Sequence, residues 1–114
     1  VIEANGIAYS VQQEHRVDEQ GKPAGGTTTG TGFEIEWQNG PRGRDESGNL
    51  AAPNGAFVED VIAAVIGRLQ FYEDSEFACA ANAIAIDKLR DALQHLEARR
   101  ADRRARGVEG SHQV

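Results

Sequence analysis

The 114-residue chain has a single cysteine, Cys79. A lone thiol excludes an internal disulfide and fits a reducing compartment. The three histidines, His15, His95 and His112, lie far apart, and no metal-ligand spacing appears. Four Phe, two Tyr and one Trp are the only aromatics, so Leu, Ile, Val and Ala have to fill most of the interior. No stretch approaches the ~20 apolar residues that span a bilayer. Residues 1–4 lack the charged start and apolar run of a signal peptide. These absences predict a soluble, cytoplasmic chain with no membrane partner, folded as one domain.

Catalytic groupings are equally sparse. Ser111-His112 has no acid at a triad-like spacing, and Cys79 falls in a helical stretch with no base nearby. The Gly/Thr-rich residues 25–32 lack the Gly-Lys-Ser/Thr ending of a phosphate loop. The expectation is a binding protein, neither hydrolase nor transferase, with no cofactor.

What is present is a strong asymmetry of charge. The chain carries a net −6, yet Arg99, Arg100, Arg103, Arg104 and Arg106 fall within eight residues. With Asp102 counted, residues 99–106 carry +4, which leaves −10 on the other 106. A basic island on an acidic body suits a small polyanion. A long nucleic acid would meet the repulsion of the remainder, which argues against a polymer partner.

Residues 1–41 read as a small antiparallel β-module. Ile7, Tyr9 and Val11 alternate with polar or small residues, and Phe33, Ile35 and Trp37 alternate with Glu34, Glu36 and Gln38. Residues 19–32, rich in Gly and Thr, read as a flexible loop or a long hairpin tip. Residues 42–53 form a connector. Residues 54–106 read as a long antiparallel two-helix hairpin, with 107–114 as a C-terminal tail. Asn54 is placed to cap the first helix, and Val58, Val61, Ile62, Val65, Ile66 and Leu69 follow at helical spacing to about Phe71 or Tyr72. Ser75 is placed as the second cap. The second helix is expected from Glu76 or Phe77 to Arg106, striped by Ile86, Leu89, Leu93 and Leu96 and closed by Gly107. The fold class is therefore α+β. A long helix beside a shorter one, with two or three strands, makes a thin monomer, so a homo-oligomer is expected.

Three groups are candidates for binding, each with a plainer alternative. At 100° per residue Arg99, Arg103 and Arg106 share one helix face. They either complement the helix dipole or clamp phosphates through bidentate guanidinium bonds. Phe71 and Tyr72 either plug the core or stack a base, Tyr72 being the better stacker. Asn82, in a small apolar run, either reads a base or ribose or bonds across the hairpin.

The spacing Phe77-x-Cys79-x-x-Asn82-x-x-Ala85-Ile86-x-x-Leu89-x-x-Ala92-Leu93-x-x-Leu96-x-x-Arg99-x-x-x-Arg103-x-x-Arg106-Gly-Val-Glu-Gly-Ser-His112 resembles a phage helical-hairpin family. That family includes Thoeris anti-defence sponges, and a related hairpin occurs in anti-CBASS sponges. The resemblance runs over about residues 31–114 and is strongest to the Thoeris anti-defence 1 type, in which a short β-module like Phe33–Gly40 precedes the hairpin. It implies sequestration without cleavage, in the host bacterial cytoplasm. The expected ligands are signalling nucleotides, chiefly cyclic ADP-ribose isomers made by TIR enzymes, with cyclic di- or trinucleotides at a second type of site. It also implies self-assembly into dimers or hexamers with pockets between subunits. By position Tyr72 stacks the base, Asn82 hydrogen-bonds the ligand, and Arg99 and Arg103 hold phosphates. Arg106, Ser111 and His112 then belong to a lid or an interface element. The competing reading from the residues alone is a helical-hairpin regulator that binds DNA or protein.

Overall fold

A computed structural model describes residues 1–107, which form two compact units, residues 1–56 and residues 57–107. The order is five strands followed by two helices, an α+β chain. The strands make two sheets, where the sequence pattern suggested a single module.

The first sheet is a hairpin of β1 (Ile2–Ala4) and β2 (Ile7–Tyr9), paired antiparallel with Ile2 opposite Tyr9. Its two-residue loop is Asn5-Gly6, with φ of 52° and 77°. Positive φ at both loop positions matches the right-handed twist of the flanking strands, and Asn-Gly is the pair that tolerates it best. The alternating run from Ile7 to Val11 is thus not one strand. It breaks at Ser10, and Val11 opens the second sheet.

That second sheet has the order β3-β4-β5, all antiparallel, from β3 (Val11–Val17), β4 (Pro23–Gly30) and β5 (Phe33–Trp37). Most of the Gly/Thr-rich segment, Pro23–Gly30, is therefore its central strand, contrary to the flexible loop or long hairpin tip expected from composition. Thr27, Thr28 and Thr29 are β-branched and favour extended backbone. The glycines sit where neighbours come close: a side chain at Gly30 would strike the Phe33 ring, and one at Gly26 (φ 142°) would strike the Glu14 carbonyl. The turn from β3 to β4 is folded by Asp18, whose Oδ1 accepts from the backbone N–H of Gln20 (2.8 Å) and Lys22 (3.0 Å).

Register divides the sheet into two faces. One carries Val11, Gln13 and His15 opposite Gly30, Thr28 and Gly26, which stand opposite Phe33, Ile35 and Trp37. On this face the Trp37 indole N–H donates to Thr28 Oγ1 (2.6 Å), and the Thr28 hydroxyl donates to Gln13 Oε1 (3.0 Å). Thr28 is the buried polar side chain of the unit. The opposite face is charged: Arg16 bridges Glu14 (2.8 Å) and Glu36 (3.4 Å). The outer edge of β3 is polar from Gln12 to Arg16, and its register shifts between His15 and Val17, features that discourage edge-to-edge pairing.

Residues 38–56 return to the far edge of β5. Ala56 N–H donates to the Glu36 carbonyl (2.7 Å) and Gln38 N–H to the Ala56 carbonyl (3.0 Å), forming a short parallel bridge. Asn54 belongs to this return. Its Oδ1 accepts from Asn39 N–H (2.7 Å), and its own N–H donates to Gln38 Oε1 (2.9 Å). It therefore does not cap the first helix. The Ncap is Phe57, in extended conformation with no side-chain cap.

The helical unit consists of α1 (Val58–Glu73) and α2 (Ala80–Ala105). Glu59 and Asp60 lie in the first turn of α1, where the dipole favours acids. Ser75 does not cap α2. Its hydroxyl donates to the Tyr72 carbonyl (2.6 Å) and accepts from Phe77 N–H (3.1 Å), so it folds the turn and delays the second helix. Glu73 Oε1 accepts from Cys79 N–H (2.8 Å), and the extended Cys79 is the Ncap rather than a helical residue. At the other end Gly107, with φ 72°, donates its N–H to the Arg104 carbonyl and takes the expected C′ place. α1 packs on α2, and the shielded apolar positions are Val61, Ile62, Ile66 and Leu69 of α1 and Ile86, Leu89, Leu93 and Leu96 of α2. Ile86 is the one buried apolar side chain among the described residues, at 5% exposure. The interior predicted from the aliphatic content is therefore thin: the other seam residues are half-buried.

Candidate functional site

The two helices differ in length, and this sets where charge can gather. At 1.5 Å per residue α1 spans about 24 Å and α2 about 39 Å. Folded back from the turn at 74–79, α1 runs out near the level of His95. Beyond that level the seam positions of α2 change character: Ile86, Leu89, Leu93 and Leu96 are followed at the same spacing by Arg100 and Arg103. Arginine takes over where no partner helix remains to bury an apolar side chain. Arg99, Arg100, Arg104 and Arg106 are exposed and Arg103 is half-buried. Arg103 and Arg104 lie in the last turn, where they also complement the helix dipole. Arg106 Nε donates to Asp102 Oδ2 (3.0 Å), an i,i+4 pair within the island.

The turn end is built differently. Phe71 and Tyr72 lie with ring centroids 5.9 Å apart and planes tilted by 59°. Phe71 is 57% exposed and so plugs no core in this chain. Between them sits Arg68, a residue the sequence reading passed over. Its guanidinium carbon lies 5.0 Å from the Phe71 ring and 4.9 Å from the Tyr72 ring, and its Nε donates to the Tyr72 hydroxyl (3.1 Å). The i, i+3, i+4 spacing of 68, 71 and 72 is the signal that would have found it. Asn82, in the first turn of α2, is half-buried, and its Nδ2 donates to the Phe77 carbonyl (3.3 Å). That bond is local to the turn and is not the bond across the hairpin expected as the plainer alternative for Asn82. Phe77 itself is 68% exposed.

The structure brings Phe71, Tyr72 and Asn82 to the turn end, and Arg99, Arg103 and Arg106 to the far end of α2. It does not bring the two sets together within one chain. Seventeen helical steps separate Asn82 from Arg99, about 26 Å, several times the reach of any side chain. Ser111 and His112 lie outside the described residues. Among the described residues no group of His, Cys, Asp and Glu is arranged to hold a metal ion. No helix among them is long and apolar enough to cross a membrane.

Two similarities bear on this arrangement. The chain is 55% identical over 60 residues to a protein named Thoeris anti-defense 1 from Bacillus phage SBSphiJ7. The match covers 53% of this chain and 42% of the relative, so it spans well under half of that protein. Residues 30–101 match the family described as Acb2/Tad1, hairpin domain, a span that takes in β5, α1, Tyr72, Asn82 and Arg99 and stops before Asp102, Arg103 and Arg106. With more than half its length in that match, and with the two-helix hairpin it describes present as α1 and α2, the chain belongs to the Acb2/Tad1 hairpin-domain family.

Proposed function

We propose that this chain is a phage anti-defence protein that sequesters small immune signalling nucleotides in the host cytoplasm without breaking them. Cyclic ADP-ribose isomers are the leading ligands, and cyclic di- or trinucleotides are taken at a further site. The observation that carries the reading is the arginine face of α2, which begins beyond the level reached by the first turn of α1. Guanidinium groups hold phosphate oxygens through charge-assisted bonds worth roughly 1.5–3 kcal/mol each. Arg99 and Arg103 serve as the phosphate clamp, Tyr72 as the stacking surface and Asn82 as the hydrogen-bonding group. Arg68 braces Tyr72 and presents Phe71 as a second apolar wall. The similarity to a protein named for Thoeris anti-defence supports the biological setting.

The separation of about 26 Å along α2 adds a requirement. One nucleotide cannot touch Asn82 and Arg99 of the same chain. A complete pocket therefore joins the turn end of one copy to the arginine end of another, which makes the functional unit a homo-oligomer. The exposed Phe71, Phe77 and Ile84 along the hairpin fit the same requirement.

The test is calorimetry with a panel of cyclic ADP-ribose isomers and cyclic oligonucleotides, followed by heat denaturation and analysis of the released ligand. Tight binding with intact nucleotide recovered is expected. Recovery of a cleaved product would make the protein an enzyme and end the sponge reading. Arg99→Ala is expected to remove binding while leaving the oligomer intact. Dissociation of the variant would assign Arg99 to assembly instead.

A further inference from the structure

Asp102 is the one acid among residues 98–107, a stretch otherwise composed of arginine, alanine and a closing glycine. At 100° per residue it stands about 60° from Arg99 and about 40° from Arg106 around the helix, on the flank of the face these arginines share. Its carboxylate is engaged by Arg106 Nε at 3.0 Å. An acid four residues before a base is the order in which such pairs form best. Both side chains are about half exposed, and an exposed pair of this kind adds little to helix stability. Its consequence is electrostatic: it ties up one guanidinium and fixes a negative charge within one turn of Arg99.

That charge acts unequally on different phosphates. A pyrophosphate diester or a cyclic phosphodiester carries one negative charge per phosphorus. A terminal phosphomonoester, as in ATP, carries close to two, and an open triphosphate about four in all. Attraction to the arginines and repulsion from Asp102 both grow with ligand charge, so a fixed acid penalises the polyphosphate more than the diester. Resting on the nucleotide-holding reading above, we infer that Asp102 is a specificity-determining residue. It biases the arginine face toward nucleotides whose phosphates are all diesters and against those ending in a phosphomonoester.

The full chain and its Asp102→Asn and Asp102→Glu variants are titrated calorimetrically with each cyclic ADP-ribose isomer and with magnesium-free ATP. The quantity read is the ratio of the two affinities. Asp102→Asn is expected to raise ATP affinity on the order of threefold to tenfold relative to the cyclic ligand, with the difference shrinking at high salt. Asp102→Glu keeps the charge and is expected to keep the wild-type ratio. An unchanged ratio in Asp102→Asn overturns the assignment, as does a parallel loss of both ligands, which would mean that the ion pair only holds the helix end. Loss of the cyclic ligand alone also overturns it, since Asp102 would then contact that ligand directly. A wild-type chain that binds no isomer and no ATP sinks the nucleotide-holding reading itself. Normal cyclic-ligand binding with an unchanged ratio sinks only the role of Asp102.

Discussion

Among the described residues, the strand unit and the helical unit each have a single buried side chain, and the two are opposites. In the sheet it is Thr28, a polar residue; in the hairpin it is Ile86, an aliphatic one. The sheet is held by a hydrogen-bond chain crossing three strands, from the Trp37 indole through Thr28 to Gln13. The hairpin is held by a non-directional apolar seam. Directional bonds specify register and are lost outright when one partner is removed, at a cost set by how far the remaining groups are shielded from water. An apolar seam loses stability in proportion to the surface removed. The same chain thus uses one unit to fix positions and the other to present a long, tunable face.

Four substitutions probe this contrast. The largest effect is expected from Gly26→Ala, which places a Cβ against the Glu14 carbonyl at a φ that L residues rarely adopt. A loss of about 3–5 kcal/mol is expected, read as a lowered midpoint in Trp37 fluorescence during urea unfolding. Retention of the wild-type midpoint would mean that β4 is not the centre of the sheet. Ile86→Ala should cost about 2–4 kcal/mol and shift helical circular dichroism rather than the Trp37 signal. If both probes move together in these two variants, the two units share one cooperative transition. Thr28→Val keeps the shape but leaves the indole N–H and the Gln13 amide without their shared hydroxyl, at about 1–3 kcal/mol. A neutral outcome would move the sheet's stability from that bond chain to its strand ladder. The smallest effect on stability, under about 1 kcal/mol, belongs to Arg68→Ala. Its expected signature is weaker nucleotide binding from a Tyr72 ring no longer braced, and unaltered affinity would remove Arg68 from the site.

What was legible in the sequence follows the same division. The hairpin was readable because helix periodicity is long and redundant: the stripe from Ile86 to Leu96 and the glycine at 107 each mark α2 independently. The helix starts were misplaced because Asn54 and Ser75 are good caps in isolation. Competing partners, the Asn39 N–H in one case and the Tyr72 carbonyl and Phe77 N–H in the other, claim their side chains first. The sheet was harder. Asn5-Gly6 is a strong hairpin signal that the longer alternation through Val11 masked. β4 was concealed because glycine outweighs threonine in any compositional reading, and only the neighbours of Gly26 and Gly30 reveal why a strand needs them. Of the candidate site, the arginine face and the aromatic pair are visible in the sequence as local clusters. Arg68 is not, because its partners lie on the next helical turn. The gap of about 26 Å between the two clusters becomes apparent only once α2 is known to be one unbroken helix.

The unequal helices have a further consequence. α1 acts as a ruler: its last covered level decides which residues of α2 belong to a seam and which to an open face. Adding one turn to the start of α1 would bring new side chains beside Arg99 without touching the arginines themselves. Removing one would expose Leu93 and Leu96 as new lining. A hairpin of this kind can therefore change which side chains border its arginine face through the length of the helix that carries no arginine face at all, leaving the charged residues and the turn as they are.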